Sequence, residues 1–471
     1  MSTKTDPRPT LEKMGQNHLL HHLEKISPAQ RERLLGQIAS LDLAMIAELI
    51  QTHVKHKQHF SLPDRMEPVE IYPRHPGPKQ AEIYKKAKQK GQELLRQGKV
   101  AAFVVAGGQG TRLGYDGPKG EFPVTPIKHK SLFQFFAEQI RAAGRTAAHA
   151  IPWYIMTSDV NDAATRDYFK RHHYFGCSSN DVYFFQQGMM PAFSFAGQML
   201  LSAADSLALV PDGHGGSLRA LARSGALADM RKRGVEHLSY FQVDNPLVRC
   251  VDPLFLGLHD ITGSEMSSKT IPKSHSLEKV GNFVFGDGKL QVIEYSDLPD
   301  ELARKTNADG SLVFNAGSIG IHALRVEFIE RLNSGHLSLP WHRAEKKVAH
   351  LDHSGKLIEP SKPNAVKLEQ FVFDAIPLAK NAIVYETERG EEFSSVKNAE
   401  GADSPATCTR DQIRRAARWL TEAGVAVPMS GEDVAATLEI SPFLANSAEE
   451  LKTRQLNRQR IEPGGEVYFS E

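Results

Sequence analysis

Apolar residues recur at helical spacing through the first 55 positions. Leu19, Leu20, Leu23 and Ile26 mark one stretch and Leu34, Leu35, Ile38, Leu41 and Leu43 the next, with Ser27-Pro28 between them as an N-cap and first-turn pair. A proline-rich connector over 61–79 leads to a predicted helix at about 80–98. From residue 100 the pattern changes. Val100–Ala106 is a short, β-branched apolar run that reads as a buried strand, followed by a helix near 131–143. Ile151–Met156 predicts a second strand with a helix near 162–172, Val182–Phe185 a third strand and Leu238–Val243 a fourth. This alternation predicts an α/β fold with a Rossmann-like, mixed, doubly wound sheet. The runs end in Gly107-Gly108, Thr157-Ser158-Asp159, Gln186-Gln187-Gly188 and Asp244-Asn245. Such carboxyl ends are where ligands sit in doubly wound sheets. Past residue 400, Arg410–Ala423 puts Ile413, Ala416, Leu420 and Ala423 on one helical face and Val425–Met429 reads as a strand, a small α+β addition. The expected organisation is an N-terminal helical region over 1–98, a large domain over 99–400 and a small C-terminal region over 401–471.

Composition narrows the class without naming it. The chain has 471 residues, 41% hydrophobic and 24% charged, as a soluble globular protein of more than one ordinary domain does. Lysine plus arginine number 57 against 56 acidic residues, so net charge gives no pull toward nucleic acid or membrane. Only Cys177, Cys250 and Cys408 occur, too few and scattered for a disulfide framework or a zinc site. The polar N-terminus and the lack of a long uninterrupted apolar run lead to the expectation of a soluble, cytoplasmic protein with no nucleic-acid or membrane partner. The oligomeric state stays open. His21 and His22 are adjacent, face different directions on a helix and read as surface histidines.

The chemistry concentrates in 105–120, Val-Ala-Gly-Gly-Gln-Gly-Thr-Arg-Leu-Gly-Tyr-Asp-Gly-Pro-Lys-Gly. Glycines directly after a strand let backbone N–H groups approach an anion, and Arg112 and Lys119 add full charges, which reads as a phosphate cradle. Two commoner motifs fail on spacing. A dinucleotide fingerprint starting at Gly108 needs glycine where Leu113 stands, and a Walker A loop needs Gly-Lys-Ser/Thr where the chain has Pro118-Lys119-Gly120.

This stretch resembles the signature of the eukaryotic-type UDP-sugar pyrophosphorylases, and among them the N-acetylglucosamine-specific members. Further blocks agree in order: Pro152–Ser158, Phe184–Gly188, Pro211–Gly213, Val243–Asn245, Val292–Ser296, Phe314–Gly317, Lys367–Asp374 and Glu392–Ser394 with Lys397-Asn398. The resemblance implies a GT-A-like nucleotidyltransferase domain in which a sugar 1-phosphate attacks the α-phosphorus of UTP and pyrophosphate leaves. That reaction needs positioning and cationic neutralisation rather than a protein nucleophile. Arg112 offers a planar fork for phosphate oxygens and Lys119 a compact charge; with Lys397, which matches a family lysine, they are the expected catalytic cations. Lys367 matches a second such lysine on the nucleotide. Asp244, at the end of a strand, is the expected Mg²⁺ ligand. Gln187 and Gly188, with Gly107, Gly108 and Gly213, are expected to hold the nucleotide. Glu294 and Asn315 match family positions that hydrogen-bond the sugar.

One block departs. N-acetylglucosamine-specific members continue Pro-Asp-Gly with Asn-Gly-Gly, whereas this chain has His214-Gly215-Gly216, which resembles the UDP-glucose pyrophosphorylases. His214 is therefore the expected sugar-side specificity residue, with N-acetylglucosamine 1-phosphate the leading substrate. A UDP-glucose or broad-specificity pyrophosphorylase is the alternative, and a nucleotide-sugar sensor without turnover a second one.

Overall fold

The Val100–Ala106 run lies inside the principal sheet of the molecule, a computed structural model that describes residues 6–57, 61–335, 339–456 and 460–471. Residues 1–5, part of the polar N-terminus noted above, lie outside the described residues. The strands of this sheet are β1 (Met66–Pro68), β2 (Ile71–Tyr72), β3 (Val100–Val105), β4 (Trp153–Thr157), β5 (Val182–Gln186), β6 (His237–Gln242), β7 (Met266–Pro272), β8 (Asn282–Gly286), β9 (Lys289–Ile293), β10 (Ala316–Arg325) and β11 (Ala382–Glu386). Their order is β2-β11-β7-β10-β6-β3-β4-β5, with β8 joining β1, β9 and β10 off that path. The run β6-β3-β4-β5 is parallel throughout, and β10 is antiparallel to both β6 and β7, which makes the sheet mixed. All four strands read from apolar runs are present within a residue or two of their predicted ends.

The helices follow the predicted spacing. Ser131 caps Leu132–Ala147 by accepting the Gln134 N–H at 3.1 Å, and Leu132, Phe133, Phe136 and Ile140 are buried against the sheet. Each such large apolar side chain contributes about 1.5–3 kcal/mol when fully removed from water. Ser27 and Gln30 form a capping box at the start of Pro28–Ile38, as Ser27-Pro28 predicts. The 61–79 connector is more ordered than its prolines suggest, because β1 and β2 dock onto sheet edges, where proline is tolerated.

The chain divides into two compact units. The smaller comprises Met1–Ser61, Gln187–Ser217 and Leu339–Asp374, and the larger the rest. Both are discontinuous in sequence, unlike the contiguous three-part division expected above. In the smaller unit the N-terminal helices bury Leu19, Leu34, Ile46 and Ile50 with Phe193, Met199 and Val366. No single helix among the described residues is long and apolar enough to cross a membrane.

The C-terminal prediction needs one correction. Val425–Met429 is not a strand: Gly424 takes φ +82° and the Val425 N–H turns back to the Leu420 carbonyl, closing the end of Pro405–Glu422. Pro428 then lacks the N–H that a strand needs, and only Met429–Ser430 pairs, with Asp433–Val434. The C-terminal sheet is instead Thr437–Ile440 with Glu466–Phe469, whose core includes Leu420, Leu438, Leu451 and Phe469.

Candidate active site

The parallel strands β3, β4 and β6 bring the turns at Gly107-Gly108, Thr157-Ser158-Asp159 and Asp244-Asn245 to one edge of the larger unit. After β3 the chain folds back on itself through the glycine-rich turn. The Gly110 N–H donates to the Gly117 carbonyl at 2.8 Å and the Lys119 N–H to the Gly108 carbonyl at 3.1 Å. Leu113 is buried as an anchor, while Arg112 is exposed and Lys119 half-buried. Gly120 has no room for a side chain, since a Cβ would lie 2.1 Å from the buried Phe133 ring. Gly108 faces open space. The base of the turn is fixed by Asn161, fully buried, whose Nδ2 donates to the Ala106 carbonyl at 2.9 Å and the Gly108 carbonyl at 3.3 Å. Its Oδ1 accepts from the Ser158 N–H at 2.8 Å, which ties the end of β4 to the turn after β3.

Asp244 follows β6, and its neighbour Asn245 works as a clamp. Asn245 Nδ2 donates to the Glu392 carbonyl at 2.7 Å, its Oδ1 accepts from the Ser394 N–H at 3.1 Å, and the Val396 N–H donates to the Asp244 carbonyl at 2.7 Å. These bonds hold residues 392–396 along the 244–245 turn and so deliver Lys397 to it. A second anchor lies beneath: Lys269, fully buried on β7, donates to Asp252 at 2.7 Å and to both Glu392 oxygens at 2.6 Å. Breaking one partner of such a buried group leaves an uncompensated charge at a cost of about 3–5 kcal/mol.

Arg112, Lys397 and Asp244 all lie within electrostatic reach of Lys119. Burial lowers the Lys119 pKa, Asp244 pushes it back up, and Arg112 and Lys397 lower it further. None of the three cations makes an ion pair or a side-chain hydrogen bond among the described residues, and the half-buried Asp244 carboxylate makes none either. Many arginines elsewhere in the structure are ion-paired, for example Arg233 with Asp229 and Arg331 with Glu265. Three cations and one carboxylate, none of them ion-paired among the described residues, act on one another at Lys119 and leave surplus positive charge there.

Glu294 and Asn315 meet at another place in the larger unit. Asn282 at the start of β8 pairs with Ile293 on one side and Gly317 on the other, so Glu294 and Asn315 flank the same hairpin end. Both are half-buried. Asn315 Oδ1 accepts from the Lys273 N–H at 2.9 Å, which leaves its amide N–H groups as the donors toward a ligand.

Gln187, Gly188, Gly213, His214 and Lys367 belong to the smaller unit. A Cβ at Gly188 would lie 2.1 Å from Asp212 Oδ2, and one at Gly213, where φ is +86°, 2.3 Å from the Gln370 carbonyl. The Pro-Asp-Gly motif is therefore packed against Glu369–Phe371. Lys367 sits mid-strand in Ala365–Glu369, paired opposite Ala344, half-buried and without an ion pair among the described residues. His214 Nδ1 accepts from the Val372 N–H at 3.1 Å, and its ring stacks on Phe371 with centroids 5.3 Å apart. Burial lowers its pKa to about 4, with His342 adding to the push. His214 is therefore neutral near pH 7 with its proton on Nε2, a fixed donor. Behind it, Phe371 stacks on His342, centroids 4.4 Å apart, and His342 Nε2 pairs with Asp374 at 2.7 Å. Asn161, Asn245 and His342 are the supporting residues that sequence reasoning missed. Their only signal was position, beside a strand end or facing the Lys367–Asp374 block.

Comparison with known proteins places the chain in a family. Residues 46–402 match the family described as UTP–glucose-1-phosphate uridylyltransferase. The chain is 37% identical to UDP-N-acetylhexosamine pyrophosphorylase-like protein 1 of Xenopus tropicalis, over 94% of this chain and 92% of that one. It is 35% identical to UDP-N-acetylglucosamine pyrophosphorylase of Saccharomyces cerevisiae, over 90% and 92%. The crystal structure of the uridine diphosphate N-acetylglucosamine pyrophosphorylase from Trypanosoma brucei in complex with inhibitor superposes with a TM-score of 0.84 at 26% identity, covering 100% of this chain and 99% of that one.

Proposed function

The chain belongs to the UTP–glucose-1-phosphate uridylyltransferase family and is a nucleotidyltransferase, and from that premise we propose that it joins UTP to N-acetylglucosamine 1-phosphate with Mg²⁺ as cofactor. The observation that carries the reading is the group of unpaired cations, Arg112, Lys119 and Lys397, around the unpaired Asp244. Two polyanions must meet in line, and the attacking phosphate oxygen is already largely ionised near neutral pH, so no strong general base is needed. Arg112 and the N–H groups of the glycine turn bind the triphosphate, and Lys119 follows the charge that develops toward the leaving pyrophosphate. Lys397, held by the Asn245 clamp, fixes the sugar phosphate for attack, and Lys367 supplies a further cation for the nucleotide. The uridine-side residues are Gln187, Gly188 and Gly213 in the smaller unit and Gly107 and Gly108 in the larger.

A lone half-buried carboxylate with no protein partner suits Mg²⁺, which keeps waters and substrate oxygens for its other positions. Among the described residues no cluster of three or more metal-ligating side chains exists, so Asp244 would hold the ion with the phosphates. When bound, the ion would neutralise charge on the triphosphate oxygens.

In the larger unit the sugar-side residues are Glu294 and Asn315, and in the smaller unit the family match gives His214, whose Nε2–H is a donor. Several relatives are named for N-acetylglucosamine or N-acetylhexosamine, which favours the acetamido sugar. The neutral donor at His214, where N-acetylglucosamine-specific members have asparagine, supports glucose 1-phosphate as the second reading. Pyrophosphate release from UTP with each sugar 1-phosphate, with and without Mg²⁺, tests both. Release with N-acetylglucosamine 1-phosphate at the higher kcat/KM and only with the metal is the expected result. Preference for glucose 1-phosphate overturns the sugar assignment, and metal-independent release overturns the cofactor.

A further inference from the structure

Lys273, the residue after β7, carries an ammonium whose surroundings the reaction as described does not use. Its residue is 8% exposed, and Nζ donates to a single partner, the Ser276 carbonyl at 3.1 Å. No carboxylate lies within ion-pair distance among the described residues. The closest acidic group, Glu278, is occupied: it accepts from the Ser274 N–H at 2.6 Å and Oγ at 2.9 Å and pairs with Arg389. A buried ammonium without a counterion is costly, and such a group is usually matched by an anion.

The space beside it has the matching chemistry. A cavity of about 520 Å³ is lined by Lys273, Arg304, His275 and Asn315 with four hydroxyl side chains, and by no carboxylate among the described residues. Arg304 is exposed and makes a long ion pair with Asp300 at 3.9 Å. In a protein whose overall charge is only +1, a cavity lined by two cations and no carboxylate is a local anion site, even with Arg304 loosely paired to Asp300. It also abuts the sugar subsite, because Asn315 accepts the Lys273 N–H twice, through its carbonyl at 3.1 Å and its Oδ1 at 2.9 Å.

We propose that this cavity receives a second anionic group carried by the sugar, so that the enzyme takes sugar 1-phosphates bearing a phosphate or carboxylate away from C1. The inference rests on the reading that Asn315 faces the sugar. The second group takes no part in bond making: UTP still loses pyrophosphate to the 1-phosphate oxygen. Lys273 supplies buried N–H donors to the extra anion, and Arg304 supplies a rim charge.

The test compares KM for N-acetylglucosamine 1-phosphate and N-acetylglucosamine 1,6-bisphosphate with UTP, in wild type, Lys273→Met and Arg304→Gln. A charge-assisted hydrogen bond to a buried ammonium predicts that wild type binds the bisphosphate at least ~10-fold more tightly. That ratio should fall to about 1 in Lys273→Met and part-way in Arg304→Gln, the exposed variant that retains the fold if the first does not. It should also shrink as salt is raised. Inorganic phosphate serves as the free-anion arm and should compete with the bisphosphate only weakly. A wild-type ratio near 1, a ratio unchanged in both variants, or inhibition by inorganic phosphate as strong as by the bisphosphate overturns the proposal. If the parent monophosphate itself gives no turnover, the failure lies in the underlying reading; if it turns over with a ratio near 1, only this inference fails.

Discussion

Replacing Asn245 by alanine separates the clamp from the groups it positions. Two hydrogen bonds disappear, Nδ2 to the Glu392 carbonyl at 2.7 Å and the Ser394 N–H to Oδ1 at 3.1 Å. Glu392 and Ser394 are 7% and 8% exposed, so water replaces neither bond readily. A buried polar group left without a partner costs about 1–3 kcal/mol, so the pair predicts a loss of about 2–6 kcal/mol. The same change frees residues 392–396 from the 244–245 turn and lets Lys397 drift from Asp244 and Lys119. Misplacement of about 1 Å in a positioned group costs on the order of 100-fold in rate. Asn245→Ala should therefore lower both the unfolding midpoint and kcat for pyrophosphate release. Because Asn245 touches neither phosphate nor sugar, KM for UTP should move far less than kcat. Asn245→Asp, which keeps an acceptor for the Ser394 N–H but sets a carboxylate against the Glu392 carbonyl, should be no better than alanine. The reasoning is refuted if the midpoint falls while kcat stays at the wild-type value, since the clamp would then serve stability alone.

Asn161→Ala removes the ties from Ser158 to the Ala106 and Gly108 carbonyls and should raise KM for UTP, measured in the same assay; unchanged KM would show that the glycine turn holds its shape unaided. Gly188→Ala should destabilise the smaller unit by about 1–3 kcal/mol through overpacking against Asp212, read from urea unfolding; a neutral change would mean that the carboxylate simply moves. For His214 the unfolded chain binds a proton below about 6.5, the folded one only below about 4, so stability falls as pH drops through that window. Between pH 7 and pH 5 this contributes about 2 kcal/mol, and His214→Asn should lose that much less over the same interval; equal losses would place the titration elsewhere.

The sheet was legible where a strand is apolar on both faces, as β3 and β4 are, and where helices carry one apolar face. It was not legible where the interior is polar. Met266–Pro272 reads Met-Ser-Ser-Lys-Thr-Ile-Pro, yet all but its last residue is buried. Its polar groups are satisfied from distant segments: Ser267 by His259, Ser268 by His322, and Lys269 by Asp252 and Glu392. No local pattern encodes such partners. The smaller unit was hidden for a related reason, since its core joins residues more than 150 positions apart, as in the Gln16 bond to the Gly197 carbonyl. At the site, Arg112 and Lys119 fall in the glycine-rich turn after β3, and Asp244 follows β6. The clamps made by Asn161 and Asn245 were masked because asparagine at a strand end already has an ordinary explanation as a turn residue.

The central claim is that surplus positive charge around Asp244 neutralises the transferring phosphates. Single-turnover pyrophosphate release by Lys119→Ala and Asp244→Ala, each confirmed to unfold at the wild-type midpoint, tests it most directly. Losing a charge aimed at the transition state predicts a fall of at least ~100-fold in each variant. Release at close to the wild-type rate in either one contradicts the account.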